Sequence, residues 1–268
     1  YILFFILPLF QTIGYSFTDY NGINPKKEFT GLTNYFDVFQ DKWFYNSMAF
    51  TGKSVLLMIL LANVLGFLLA LALNTKIRSR NILRAIVFCP FVFNNVTVGF
   101  IWQFLLGRFM TDLYPLTGWK VFNIGWLSDN SLVLYSVVFV KLWQSIGYFM
   151  VIYLAGLQLL PQDPLEAAVI DGCTGIKMIR YITIPLMKPT AFVCIFLAIT
   201  ESLNMFPLIM SLTNGGPGHA SENISLYIYN EAFKSHRMGY ASALAVILTI
   251  IMTIIAGLQM KLTREDAG

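Results

Sequence analysis

Four stretches of the sequence, each longer than 20 residues, contain no Asp, Glu, Lys or Arg: residues 54–75, 85–107, 142–162 and 238–260. A helix of about 20 apolar residues crosses the hydrocarbon core of a bilayer, which is roughly 30 Å thick. Only 12% of the chain is charged, against about 25% in a soluble domain, so lipid rather than water must solvate most of its surface. The sequence therefore predicts a membrane-embedded protein.

Two further stretches complete the set of candidate spans. Residues 1–18 are apolar but slightly short, as expected of a truncated first span, and residues 189–213 are interrupted only by Glu201. We therefore expect an all-α polytopic fold, a single transmembrane domain over residues 1–268. Its six spans lie at about 1–17, 48–73, 85–107, 131–159, 188–212 and 239–261.

Basic residues in the connections predict the orientation, because they accumulate on the cytoplasmic side. One side of the predicted topology, which includes both termini, carries nine of them within short segments: Lys76, Arg78, Arg80, Arg84, Lys177, Arg180, Lys188, Lys261 and Arg264. The other side carries seven, spread over longer loops: Lys26, Lys27, Lys42, Arg108, Lys120, Lys234 and Arg237. The denser set predicts that both termini and the 160–187 loop are cytoplasmic.

The 160–187 loop is a compact, charged segment between apolar spans. Asp163 is expected to cap a helix, with Pro164 at the first helical position and Glu166 three residues after the cap. Gly172 can adopt the left-handed conformation that ends it, and a second short helix over about 176–182 can follow. One interpretation is a helical loop without a partner. The other is a docking helix, because small alanines allow close approach and acidic side chains offer charge-assisted contacts.

The same segment carries a recognisable motif. Glu166-Ala167-Ala168, then Asp171-Gly172, with Ile182, Pro185 and Pro189 downstream, resembles the EAA loop of permease subunits of ABC importers. It most resembles the carbohydrate-uptake branch that includes MalF of the maltose transporter, and the resemblance covers most of the chain. Residues 16–20, 155–158 and 213–218 also fit, whereas Cys173 and Ile179 depart from the usual Ala and Phe.

The resemblance implies how such a chain works. Residues Glu166, Ala167, Ala168, Asp171 and Gly172 would form a helix that docks on a cytoplasmic ATPase subunit and couples ATP hydrolysis to alternating access. The implied assembly contains a second homologous permease, two ATP-binding subunits and an extracellular or periplasmic solute-binding protein, in a bacterial-type cytoplasmic membrane. ATP and Mg would be bound by the ATPase subunits, with no cofactor on this chain. The substrate would be an oligosaccharide or a related sugar.

Ionisable residues inside spans are costly and indicate function. Lys141, Gln144 or Ser145, and Tyr148 share one face of the fourth span, and Glu201, Ser202 and Asn204 cluster in the fifth. Of these, Lys141, Ser145, Tyr148, Glu201 and Ser202 stand where the resemblance implies sugar contacts. Alternatively, Lys141 and Glu201 pair with each other or with the partner permease. A lysine on this face also leaves room for an acidic sugar.

A second polar feature lies in the third span, where Asn94 and Asn95 follow Pro90. Proline frees a backbone carbonyl and kinks a helix, so this segment is either a gate or a set of inter-helix hydrogen bonds. The sequence leaves both interpretations open.

Other functional classes fit the sequence less well. An ion-coupled secondary sugar transporter would need several acidic residues at mid-membrane and inverted repeats, but Glu201 stands nearly alone there. A membrane enzyme would need a catalytic cluster within the spans, and His219 and His236 lie outside them. The sequence has no Gly-rich phosphate-binding loop and only a scattered charge of +4, which argues against ATP hydrolysis by this chain and against nucleic-acid binding.

Overall fold

The computed structural model describes residues 2–24, 26–75 and 78–265, which fold almost entirely into helices. Tyr1, at the start of the first predicted span, and Lys76, one of the basic residues counted above, lie outside the described residues. The helices are α1 (Ile2–Tyr15), α2 (Thr33–Gln40), α3 (Lys42–Leu73), α4 (Arg80–Val92), α5 (Asn95–Thr117), α6 (Val133–Gln158), α7 (Gln162–Ile170), α8 (Ile176–Leu186), α9 (Lys188–Leu203), α10 (Phe206–Leu212), α11 (Ile224–Tyr229) and α12 (Met238–Glu265). The predicted all-α membrane fold is confirmed.

The apolar helices differ in how they could cross a membrane. By length and composition, α3, α6 and α12 each suffice as a single span. Two pairs suffice when taken together but are bent, α4 with α5 by 94° and α8 with α9 by 71°. Helix α1 is apolar but shorter. The described residues thus hold three unbroken candidate spans, two bent pairs and one short apolar helix in place of six similar spans.

The predicted third span, 85–107, is not one straight helix. Pro90 lies in a 3-10 turn at the end of α4, after which Phe93 and Asn94 are extended, with ψ angles of 142° and 141°. The Asn94 side chain accepts a hydrogen bond from the Val96 amide at 2.8 Å and so caps the start of α5. Pro90 and Asn94 together produce the break.

The predicted fifth span, 188–212, is also divided. Helix α9 ends at Leu203, and α10 begins at Phe206 with a proline in its first turn. Proline lacks an amide proton and is best tolerated in the first turn of a helix, which is consistent with the chain restarting there as a separate helix. Asn204 lies at this second break.

Helix α6 is the centre of the fold, with most of its length buried between α3, α4, α9 and α10. Small residues of α3, including Ala62 and Gly66, face α6 and let the two helices approach closely. A Cβ atom added to Gly66 would lie 2.8 Å from the Cβ of Phe149. This packing fixes the position of the polar residues that α6 carries.

A half-buried carboxylate links the start of α3 to α11 and α12. Asp41 accepts the Trp43 amide at 2.8 Å, the Tyr240 hydroxyl at 2.5 Å and the Tyr227 hydroxyl. Burial alone would raise the pKa of Asp41, but these hydrogen bonds to the charged form outweigh it and hold the pKa below its ordinary value of 3.8. The charged Asp41 carboxylate therefore links the start of α3 to α11 and α12 through hydrogen bonds.

Candidate functional site

An ion pair lies where α6 passes α9. The Nζ atom of Lys141 is 2.5 Å from Oε2 of Glu201, and the two side chains are 3% and 25% exposed. Of the alternatives that the sequence left open, the structure has Lys141 and Glu201 paired with each other. The attraction between the two charges offsets part of the cost of burying them.

The break between α4 and α5 supplies further polar groups to the same place. Gln144 donates from Nε2 to the carbonyl oxygen of Phe93 at 2.9 Å, and this carbonyl belongs to the extended stretch outside the helices. Lys141 makes longer contacts, with Asn95 Oδ1 at 3.4 Å and Gln144 Oε1 at 3.5 Å. We call Phe93, Asn95, Lys141, Gln144 and Glu201 the ion-pair site. Within this site, Gln144 donates to the Phe93 carbonyl oxygen, a backbone acceptor that could not remain unpaired in lipid.

The remaining residues predicted for the substrate path are placed differently. Ser145 and Ser202 are buried, and their hydroxyls donate to carbonyl oxygens of their own helices, Lys141 at 2.8 Å and Ala198 at 2.7 Å. Asn204 is exposed at the end of α9. The structure therefore brings Lys141, Gln144 and Glu201 together, whereas the two serine hydroxyls are used within their helices.

Tyr148 provides an aromatic surface one turn beyond Gln144 on α6. It is half-buried, and its ring stacks on Phe91 with centroids 4.5 Å apart and planes 2° from parallel. Phe91 belongs to the 3-10 turn that precedes the helix break, so this stack also joins α6 to the break. Polar groups and flat rings thus occur side by side along α6, as sugar binding requires.

The sequence indicated Asn95 only as part of a polar break, and it missed Phe93 altogether. A backbone carbonyl carries no sequence signature, and only the fold reveals that it faces Gln144. The spacing of Pro90 before Asn94-Asn95 was the available signal for both residues.

The 160–187 loop contains a short helix, α7, whose start differs from the prediction. The residue before α7 is Pro161, in an extended conformation, and Asp163 makes no capping hydrogen bond. The predicted cap at Asp163, with Pro164 at the first helical position, is therefore wrong. The chain turns into the helix two residues earlier, since proline already fixes a φ angle compatible with the helix start. Asp163 lies in the first turn instead, where a negative charge is favourable.

The end of α7 agrees with the prediction. Gly172 has a φ angle of +75°. Its amide donates to the Val169 carbonyl at 3.0 Å, and the Cys173 amide donates to the Ala168 carbonyl at 2.8 Å. These two hydrogen bonds form a Schellman motif, which closes a helix at a left-handed glycine.

The surface of α7 is open to a partner. Ala168 is buried against the rest of the chain, whereas Glu166, Ala167, Asp171 and Gly172 are exposed. Three large apolar residues in or close to α7 along the chain, which the sequence pattern did not single out, are also exposed: Leu159, Ile170 and Ile176, at 83%, 86% and 83%. Large apolar side chains grouped beside exposed carboxylates are typical of a protein-binding surface. Their signal in the sequence was the presence of large apolar residues within or beside a charged loop.

Comparisons with known proteins place the chain among transport proteins. The family described as "Binding-protein-dependent transport system inner membrane component" matches residues 62–264. "Probable starch degradation products transport system permease protein AmyD" of Thermoanaerobacterium thermosulfurigenes is 36% identical, over 98% of this chain and 90% of that protein. "Multiple sugar-binding transport system permease protein MsmF" of Streptococcus mutans is 33% identical, over 98% of this chain and 91% of that protein.

The fold is found in a solved structure as well. One chain of a bacterial alginate ABC transporter, in complex with a periplasmic protein that holds an alginate pentasaccharide, is similar with a TM-score of 0.80. The two chains are 22% identical, and the match covers 98% of this chain and 90% of that one. At this identity the likeness concerns the fold.

Proposed function

Because this chain belongs to the family of binding-protein-dependent transport system inner membrane components, we propose that it is the permease subunit of an ATP-driven importer of neutral oligosaccharides. Two of its relatives are named as permease proteins of transport systems, one for starch degradation products and the other described as multiple sugar-binding, which supports a sugar as the substrate. The proposal adds two points to the family assignment: the substrate is neutral, and transport is coupled to ATP hydrolysis.

The Lys141–Glu201 ion pair is the main support for a neutral substrate. A substrate carboxylate would have to displace Glu201 from Lys141 at 2.5 Å and leave a second, mostly buried carboxylate without its partner. Sugar hydroxyls impose no such exchange, because they donate to Glu201 and accept from Gln144 without separating the charges. The pair therefore favours a neutral sugar over the acidic sugar that an isolated lysine would suit.

The exposed surface of α7 supports the coupling. Glu166 and Asp171 offer carboxylates and Ile170 offers an apolar anchor, all on a helix whose end is fixed by the Schellman motif. A rigid helix loses little entropy when it docks, so it can transmit movement from a partner. We propose that the partner is a cytoplasmic ATPase subunit, which binds ATP and Mg.

The proposed assembly contains two such ATPase subunits, a second homologous permease and an extracellular solute-binding protein. A periplasmic protein accompanies the alginate transporter of similar fold, which is consistent with the last of these partners. The assembly would lie in the cytoplasmic membrane, with the 160–187 loop and both termini on the cytoplasmic side.

Reconstitution tests the proposal. The permease pair, the ATPase subunits and the binding protein are placed in proteoliposomes, and uptake of radiolabelled maltotriose is measured. We expect uptake that requires ATP. Ile170→Glu should lower it at least tenfold, whereas Leu116→Glu, at an equally exposed apolar residue (81%) far from α7, should not. Uptake without ATPase subunits, or equal effects of the two variants, would refute the proposal.

A further inference from the structure

We propose that a second sugar-binding site lies at the end of α3 and α6 opposite α7, in an open pocket that receives the oligosaccharide before the ion-pair site does. The pocket encloses about 480 Å³, and its exposed polar and aromatic lining residues are Trp43, Asn46, Lys53, Asn130, Ser131 and Tyr135. We call it the outer pocket. The inference rests on the proposed function, which sets the substrate class and places this end of the helices outside the cell.

The outer pocket is built by three segments that the fold holds together. Trp43 and Asn46 lie in the first turns of α3, Asn130 lies in the turn before α6, and Tyr135 lies in the first turn of α6. The loop after α10 closes one side, because Asn46 donates from Nδ2 to the His219 carbonyl at 2.9 Å. The rings of Trp43 and His219 also contact each other, with centroids 4.4 Å apart. The pocket is therefore a defined feature of the packed helices.

Its side chains have the chemistry that recognises carbohydrate. The Tyr135 side chain is 57% exposed and presents a flat ring and a hydroxyl. Asn46 has its amide nitrogen on His219 and keeps its carbonyl oxygen for a ligand, and Asn130 offers both a donor and an acceptor. Lys53 forms no ion pair with the described residues and can donate to hydroxyl oxygens. Aromatic surface with a few converging polar groups, in about 300–1,000 Å³, is typical of small-ligand sites.

The position of the pocket connects it with the ion-pair site. Leu134 also lines the pocket, and Lys141 is two helical turns further along the same face of α6. At about 1.5 Å of rise per residue, the two residues are separated by roughly 10 Å along the helix. The outer pocket thus lies next to the ion-pair site on the same face of α6, on the side nearer the start of the helix.

A loop of the binding protein is the competing occupant of this pocket. The open mouth would admit a protein loop, but polar groups that each suit hydroxyls, beside an exposed tyrosine ring, match a sugar more directly. The binding experiment described next distinguishes a sugar from a protein loop as the occupant.

Equilibrium binding to the assembled transporter tests the inference. The assembly is placed in nanodiscs without its binding protein, and binding of radiolabelled maltotriose is measured. We expect Tyr135→Ala and Asn130→Ala each to weaken binding at least fivefold. Tyr45→Ala is the matched control, because this tyrosine is 54% exposed near the same end of α3 but does not line the pocket. It should bind maltotriose as the parent assembly does.

The outcomes separate this inference from the proposed function. Parent-like binding by Tyr135→Ala and Asn130→Ala, or no maltotriose binding by the parent assembly, would overturn the outer pocket. So would variants that bind the free sugar normally but bind the binding protein more weakly, because the pocket would then hold a protein loop. ATP-dependent uptake of maltotriose by the parent proteoliposomes is measured in parallel, and its loss would refute the proposed function instead.

Discussion

Removing the negative partner of the ion pair should destabilise the folded helices strongly. In Glu201→Gln, Lys141 stays 97% buried without a compensating charge, and its contacts at 3.4 and 3.5 Å with Asn95 and Gln144 are too long to replace a carboxylate. Breaking a buried ion pair in this way costs about 3–5 kcal/mol. Because the Glu201 side chain is 25% exposed, we expect the lower end, about 3 kcal/mol.

A double-mutant cycle measures this effect. The free energy of unfolding is obtained by titrating detergent-solubilised protein with sodium dodecyl sulfate, for Glu201→Gln, Lys141→Gln and the double variant. The double variant buries no charge, so it should recover most of the loss, with a coupling energy of about 2 kcal/mol or more. Asp112→Asn is the control, because its pair with Arg108 is 3.8 Å long and exposed, and it should change stability by less than about 0.5 kcal/mol.

Two results of the cycle would show that the buried Lys141 is not stabilised by Glu201. If Glu201→Gln costs no more than Asp112→Asn, Lys141 is not dependent on Glu201. If the two single substitutions are simply additive in the double variant, the two side chains do not interact in the folded protein.

Three further predictions concern other parts of the chain. Gly66→Ala should destabilise the α3–α6 packing by about 1–3 kcal/mol in the same titration, whereas Gly52→Ala, with open space around its Cβ position, should not destabilise it; equal effects would contradict the close approach. Gly172→Ala should strain a left-handed residue by about 1 kcal/mol and make the 160–187 loop more sensitive to limited proteolysis, and an unchanged cleavage rate would contradict the Schellman motif. Asp41→Asn should be less stable than the parent at neutral pH. Since the folded-state pKa of Asp41 is lowered, its contribution is present above about pH 4 and is lost as pH falls below that, so the difference between the variants should shrink there; a constant difference would contradict the assignment.

The sequence predicted the helical membrane fold because long charge-free stretches leave few alternatives. It also predicted the left-handed end of α7 at Gly172, since this conformation is costly for other residues. It indicated a kink at Pro90 in the third span but did not predict that the helix ends there, and it did not predict that the fifth span is divided. A proline can kink a helix, cap it or end it, and the choice depends on whether other groups, here Gln144 for the Phe93 carbonyl, satisfy the freed backbone.

The candidate site was predictable in part for a similar reason. Lys141, Gln144 and Glu201 stand out as polar residues in apolar spans, but which of them meet depends on how α6 packs against α9. Ser145 and Ser202 have the same polar character, yet their hydroxyls bond within their own helices. The cap of α7 was misplaced because Pro161 and Pro164 both suit a helix start, and the chain uses the earlier one.

The charge of the transported sugar shows directly whether the Lys141–Glu201 pair sets the substrate class. The reconstituted transporter is given radiolabelled maltotriose and a uronate trisaccharide of the same length, each with excess binding protein, and initial rates of ATP-dependent uptake are compared. Because Glu201 already neutralises Lys141, we predict uptake of the neutral sugar at least tenfold faster than uptake of the uronate. Uptake of the uronate at an equal or higher rate would show that the Lys141–Glu201 pair does not select a neutral sugar.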